Sequence, residues 1–145
     1  MIAVDTNILV HAHRRDSAWH RPAAERMREL AEGSSSWGMP WPCVHEFLAI
    51  ATHPRIYVPP STNEQATKQI NAWLDSPTVV MLAEAPGYWE LLRRLLQQSK
   101  VTGPRVHDAR IAALCMLHGV RELWTADRDF GAFPDLATRN PLVMS

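Results

Sequence analysis

Four carboxylates far apart in the chain, Asp5, Glu46, Asp108 and Asp127, are the side chains whose types and settings point to chemistry. Asp5 and Asp127 each follow a short apolar stretch of strand character, Ile2-Ala3-Val4 and Leu123-Trp124-Thr125. Glu46 and Asp108 fall in or near the first turn of segments that read as helices. In a parallel α/β sheet, strand carboxyl ends and the amino ends of the following helices face one side. The four acids are therefore expected to gather on one edge. Like charges gathered there repel and lose hydration, so their coexistence calls for a compensating cation or shared protons. A cation is the simpler solution, and ligation by oxygen alone favours hard ions, Mg²⁺ or Mn²⁺, over zinc or copper. Such a centre suits in-line hydrolysis of a phosphodiester, with one ion or two. Taken singly, each acid has a plainer explanation. Asp5, Glu46 and Asp108 could cap helices or complement their positive ends, and Asp127 with Asp129 could shape a turn. Independent caps, however, have no reason to share a sheet edge.

The elements that must position these acids alternate along the chain. Ile2-Ala3-Val4 is a buried-strand candidate, and Asp5-Thr6-Asn7 can cap a helix beginning near Ile8. Trp19, Ala23, Met27, Leu30 and Ala31 recur at helical spacing over 18–31, with Gly33 as the stop. A strand over 36–41 runs into Pro42, a residue suited to the first position of a helix, whose apolar stripe is Val44, Phe47, Leu48 and Ala51. After Pro59-Pro60, Ser61 and Glu64 fit a capping box for a helix carrying Ala66, Ile70, Trp73 and Leu74. Val79 to Leu82 reads as a third strand, Leu91 to Leu96 as a helix, and Val106 to Leu117 as another with Asp108 near its start. Leu123-Trp124-Thr125 is a fourth strand, and Leu142-Val143-Met144 a candidate last one. The expectation is an α/β fold with a mainly parallel sheet of about four to five strands, flanked by helices.

With 145 residues, 46% hydrophobic and 21% charged, the chain suits one globular domain over residues 1–145. Cys43 and Cys115 match no disulfide framework or zinc cluster and read as buried thiols in a reducing compartment. The start of the chain lacks the basic and long apolar stretch of a secretory leader, so a cytoplasmic protein is expected. Fifteen basic and fifteen acidic residues cancel, which argues against a broadly basic nucleic-acid binder. A metal-loaded acidic site would still attract phosphate locally. Trp37, Trp41, Trp73 and Trp89 could serve core or interface, and most are assigned to the core by default.

Four blocks, in order, then carry a family pattern: Val4-Asp5-Thr6-Asn7-Ile8-Leu9, Val44-His45-Glu46-Phe47, Val106-His107-Asp108-Ala109-Arg110-Ile111-Ala112-Ala113, and Trp124-Thr125-Ala126-Asp127-Arg128-Asp129-Phe130. Over essentially its whole length the chain resembles a PIN-domain ribonuclease of the VapC toxin type. The resemblance implies an Mg²⁺-dependent endoribonuclease, with Mn²⁺ as a substitute, acting on structured RNA of the tRNA or rRNA class as the toxin of a toxin–antitoxin pair. It implies that Asp5, Asp108 and Asp127 ligate metal, while Glu46 completes the pocket through water or in water activation. Asn7 and Thr125 would orient carboxylates, and Asp129 would either extend the metal site or pair with Arg128. A homodimer is implied as well, with a VapB-like antitoxin laying a basic carboxyl-terminal segment across the groove. Arg14, Arg15, Arg21, Lys100, Arg105, Arg110 and Arg128 are candidates for RNA contact. His11 and His13 are read as surface histidines of the first helix, and His45 and His107 are assigned no proton-transfer role.

Two rival readings remain. A phosphoryl-transfer enzyme with an aspartyl nucleophile would need a late lysine, and none follows Lys100. A non-catalytic PIN-fold module that binds RNA or protein would not need all four acids intact.

Overall fold

The computed structural model describes residues 1–143. Its elements are β1 (Ile2–Val4), α1 (Thr6–His13), α2 (His20–Glu32), β2 (Trp37–Pro40), α3 (Trp41–Ala51), α4 (Asn63–Leu74), β3 (Val79–Leu82), α5 (Tyr88–Ser99), α6 (Val106–Leu117), β4 (Glu122–Trp124) and β5 (Thr138–Arg139). Short 3₁₀ turns cover Gly103–Arg105, Arg128–Ala132 and Pro141–Val143.

All neighbouring strands are parallel, in the order β3-β2-β1-β4-β5. The chain builds outward from β1 to β3, then crosses back to lay β4 and β5 on the other side. β1 and β4 therefore flank the switch point, where parallel sheets open a crevice beyond the strand ends. All four residues of β2 are buried, as expected for a strand covered on both faces. Gly38 in β2 has no side chain because Leu82 of β3 occupies that space, 3.1 Å from where a Cβ would stand. On the α3 side, the fully buried Phe47 meets the edges of His13 and Trp73, each at 5.3 Å between ring centroids.

The strand–helix alternation read from the pattern is the one observed, with three informative differences. The capping box of α4 is Thr62 with Gln65, one residue later than the Ser61–Glu64 pair. Ser61 is unavailable because it is buried with its hydroxyl 2.8 Å from His13 Nε2. The last strand is Thr138–Arg139, whereas Pro141–Val143 forms a 3₁₀ turn and Met144 lies outside the described residues. Both residues of β5 are exposed, so the burial signal that marks a strand never arises there. Finally, Trp37 and Trp73 are core residues, but Trp41 and Trp89 stand 37% and 61% exposed. Among the described residues no helix is long and apolar enough to cross a membrane.

Candidate active site

The register of β1 on β4 builds the centre of the site. Val4 lies opposite Trp124, so the next residue of each strand, Asp5 and Thr125, leaves the sheet at one level, and Asp5 N–H donates to Trp124 C=O at 2.9 Å. Asp5 is the N-cap of α1, its backbone still extended. Its Oδ1 accepts from Thr6 N–H at 2.8 Å and from the Cys43 thiol at 3.6 Å. Its Oδ2 accepts from Thr125 Oγ1 at 2.8 Å and Asn7 Nδ2 at 3.2 Å. Asn7 also spans the crevice, donating to Thr125 Oγ1 and accepting Ala126 N–H. Thr125 Oγ1 in turn accepts Asp127 N–H at 3.0 Å. These bonds lock the turn after β4 to the start of α1, and Asp5 is the buried hub.

Around the hub stands a ring of acids with far fewer partners. One carboxylate oxygen from each of Asp108, Asp127 and Asp129 lies within 4.8 Å of the others. Asp127 caps the following 3₁₀ turn by accepting Asp129 N–H at 2.8 Å, which brings those two carboxylates to the same side. Asp108 projects from the first turn of α6. Glu46 comes from the second turn of α3, because that helix begins at Trp41, and it faces solvent.

The electrostatics report the crowding. Burial, then the charges of Asp127, Asp5 and Asp129, push the Asp108 carboxyl up to about 6, with Arg105 opposing. Partial burial, then Asp5 and Asp108, raise Glu46, and His107 pulls the other way. Burial raises Asp5 despite the bonds from Thr125, Thr6 and Cys43 that favour its charged form, and Asp127 adds to the rise. Proteins seldom leave such a group without a counter-charge, and three oxygen donors this close match the number and hardness of ligands that a divalent cation takes from a protein. The residues present therefore fit a hard cation.

The structure brings Asp5, Glu46, Asp108 and Asp127 to one edge, with Asn7 and Thr125 touching Asp5. Asp129 stands in the acid cluster, and among the described residues it makes no ion pair with Arg128. Cys43 is the buried thiol expected from the sequence, but sequence reasoning missed its contact with Asp5. Arg105, a candidate for RNA contact, donates to Asp129 C=O at 2.9 Å. Arg14 was considered for RNA contact, but it is engaged by Asp16, Ser61 and Pro59 C=O and lies over the Tyr57 ring. His13 is a packed residue, not a surface one, bonded to Ser61 and Gln69.

Comparison with known proteins agrees with this architecture. A family model described as "PIN domain" matches residues 2–136. "Ribonuclease VapC48" of Mycobacterium tuberculosis is 33% identical over 137 residues, covering 94% of each chain. Among solved structures, Mycobacterium tuberculosis VapC20, titled a "Sarcin-Ricin loop cleaving toxin", superposes with a TM-score of 0.67 at 18% identity, covering 91% of this chain and 94% of that one. VapBC2 from Rickettsia felis, solved with a promoter DNA fragment, gives a TM-score of 0.65 at 19% identity, covering 96% and 98%. At those identities the two structures bear on the fold. The domain match across nearly the whole chain, joined by the full-length relative, shows that this chain belongs to the PIN-domain family, in its VapC branch.

Proposed function

We propose that this chain is a divalent-metal-dependent endoribonuclease, the toxin of a type II toxin–antitoxin pair, which hydrolyses phosphodiester bonds in structured RNA of the tRNA or rRNA class. The observation that carries the reading is the gathering of Asp5, Glu46, Asp108, Asp127 and Asp129 at the switch point of a PIN fold. The ribonuclease names of the relatives and the RNA-loop specificity in the VapC20 title support the substrate class. The protein would work in the cytoplasm as a homodimer, held silent by a VapB-like antitoxin. A basic side chain of that antitoxin would meet complementary charge in the acidic crevice.

Asp5, Asp108 and Asp127 would hold the ion, Mg²⁺ with Mn²⁺ as substitute, and Asp129 stands where it can extend the set. When bound, the ion supplies positive charge for the reacting phosphate and acidifies nearby water. The remaining work falls to side chains of the chain itself. Thr125, Asn7, Thr6 and Cys43 hold the Asp5 carboxylate in one orientation, so no reorganisation is needed as substrate arrives. Glu46 is exposed and has a raised pKa, which suits a group that takes a proton from attacking water.

The deciding experiment is incubation of purified total RNA with Mg²⁺ or Mn²⁺, beside an EDTA control and Asp5→Asn. Discrete metal-dependent fragments absent from the variant are expected. Intact RNA after treatment with well-folded, antitoxin-free protein would leave a binding module as the better description.

A further inference from the structure

Beside the acidic crevice lies a second feature that metal chemistry does not use. A recess of about 230 Å³ is lined by Trp41, His45, Leu82, Glu84, Arg110 and Leu114. It is smaller than a drug-sized site and suits a single flat ring system. Trp41 and His45 form a platform, their rings 26° apart with centroids at 6.2 Å, and Trp41 keeps 37% of its surface open. Arg110 and Glu84 face each other at a loose 3.7 Å, with 37% and 57% of their side chains exposed, so both keep polar atoms free for a ligand.

The recess shares two helices with the proposed catalytic edge, although none of that edge's acids lines it. Trp41 and His45 belong to the helix that carries Glu46, and Arg110 follows Asp108 by two residues in α6. A helix rises ~1.5 Å per residue, so Trp41 is under 10 Å from Glu46 along the axis. Around that axis the two residues are turned about 140° apart, so a base would reach Trp41 by leaving the stack and swinging around α3.

We infer that this recess is a nucleobase subsite, taking an unstacked guanine of the RNA beside the scissile bond and setting cleavage preference. Sequence-specific RNA recognition relies on splayed bases stacked on aromatic rings and read along their edges. Guanine presents two adjacent N–H donor groups, N1 and N2, beside the O6 acceptor. Glu84 supplies the acceptor for the donors, and Arg110 supplies a donor for O6. Cytosine offers a single donor group to the carboxylate, and adenine and uracil fit the pair less well. The inference rests on the nuclease reading for its biological meaning, but the subsite is testable by binding alone.

In the Asp127→Asn background, where cutting does not intervene, fluorescence anisotropy would compare labelled oligouridylates carrying one central G, A, C or U. The guanine oligonucleotide is expected to bind tightest. Trp41→Ala should weaken its binding by roughly 5- to 150-fold, the range for loss of one stacked base. Trp41→Phe should restore most of the affinity, and Glu84→Gln should flatten the preference for guanine. Equal affinity for the four oligonucleotides, or variants that bind as the parent does, would overturn the subsite. Sedimentation of the same variants separates the other occupant: loss of self-association together with base discrimination would assign the recess to contact between two copies and overturn it too. Guanine-selective binding by a protein that cuts no RNA would sink the nuclease reading and leave the subsite standing.

Discussion

Two polar clusters at opposite ends of α1 show how charge is handled for different ends. At its carboxyl end, Arg14 donates to Asp16, Ser61 and Pro59 C=O and stacks over Tyr57, while His13 bonds Ser61 and Gln69. Opposite charges meet there and the polar groups find partners, so the cluster pins the loop before α4 to the end of α1. At its amino end, Asp5 is satisfied, but Asp108 and Glu46 accept no hydrogen bond among the described residues, and burial followed by like charges raises both. A satisfied cluster stabilises the fold, whereas a frustrated one persists because a ligand resolves it. The clamp also borders a recess of about 480 Å³, so open volume beside α1 does not by itself mark the reactive end.

The comparison breaks most visibly if charge is removed at the acidic end. Asp108→Asn is expected to cut RNA cleavage at least ~100-fold, beyond the 10- to 100-fold typical of groups that only support ligands. The same variant should melt at a higher temperature than wild type in metal-free buffer at pH 7.5, because it deletes a repelled carboxylate. A lower melting temperature with full activity would make Asp108 a structural acid and erase the contrast.

A smaller effect is expected from Thr125, whose hydroxyl links Asp5, Asn7 and Asp127. Thr125→Ala should lower cleavage by about 10- to 100-fold. It should also cost about 1–3 kcal/mol, since Asp5 is left buried with a donor missing. Thr125→Ser keeps the hydroxyl and should recover most of the rate; if it is as impaired as alanine, the methyl group and not the hydrogen bond is what matters.

Much of the fold and most of the acidic edge were legible because they follow from periodicity. Parallel strands such as Ile2-Ala3-Val4 and Val79–Leu82 announce themselves as apolar runs, and an acid directly after one must emerge at the carboxyl edge. Glu46 and Asp108 were placed by the matching expectation that helix amino ends face the same edge, with Glu46 falling one turn further in than expected. What escaped were properties of contact. Nothing about Cys43 as a buried thiol says that it meets Asp5, and nothing about Ser61 before Thr62 says which hydroxyl turns inward. Two adjacent hydroxyls satisfy the same capping pattern, and only the histidine at the end of α1 decides between them. Which of the four tryptophans would stay exposed escaped for a similar reason, since bulk apolar character does not reveal which face of a helix is covered.

At the clamp, Ser61→Ala tests the other half of the comparison. It strips His13 Nε2 and one Arg14 N–H of a buried partner and should cost about 1–3 kcal/mol of unfolding free energy in denaturant titration. Cleavage by the folded fraction should stay within about twofold of wild type. A rate loss matching that of Thr125→Ala would show that the clamp participates in the reaction and that the two ends of α1 are not functionally separate.

The smallest expected effect is on pH dependence, and its sign distinguishes the two ends. Burial and the neighbouring acids push Asp108 up to about 6 from the ordinary 3.8 of an aspartate, so between those values the native state holds a proton that the unfolded chain has released. Stability from this group is fully present below about pH 4 and declines as pH rises through 6. Asp16 in the clamp is lowered by the Arg14 hydrogen bond, so its contribution runs the other way: it is present above the unfolded value and lost only in more acidic solution. In EDTA, the melting temperature of wild type relative to Asp108→Asn should therefore fall as pH is raised from 5 to 7.5. Added Mg²⁺ should reverse that fall at the upper end, because a bound cation favours the ionised carboxylates that protonation otherwise relieves. If the two proteins instead run parallel across this range with and without Mg²⁺, Asp108 does not carry the repulsion that separates this edge from the clamp.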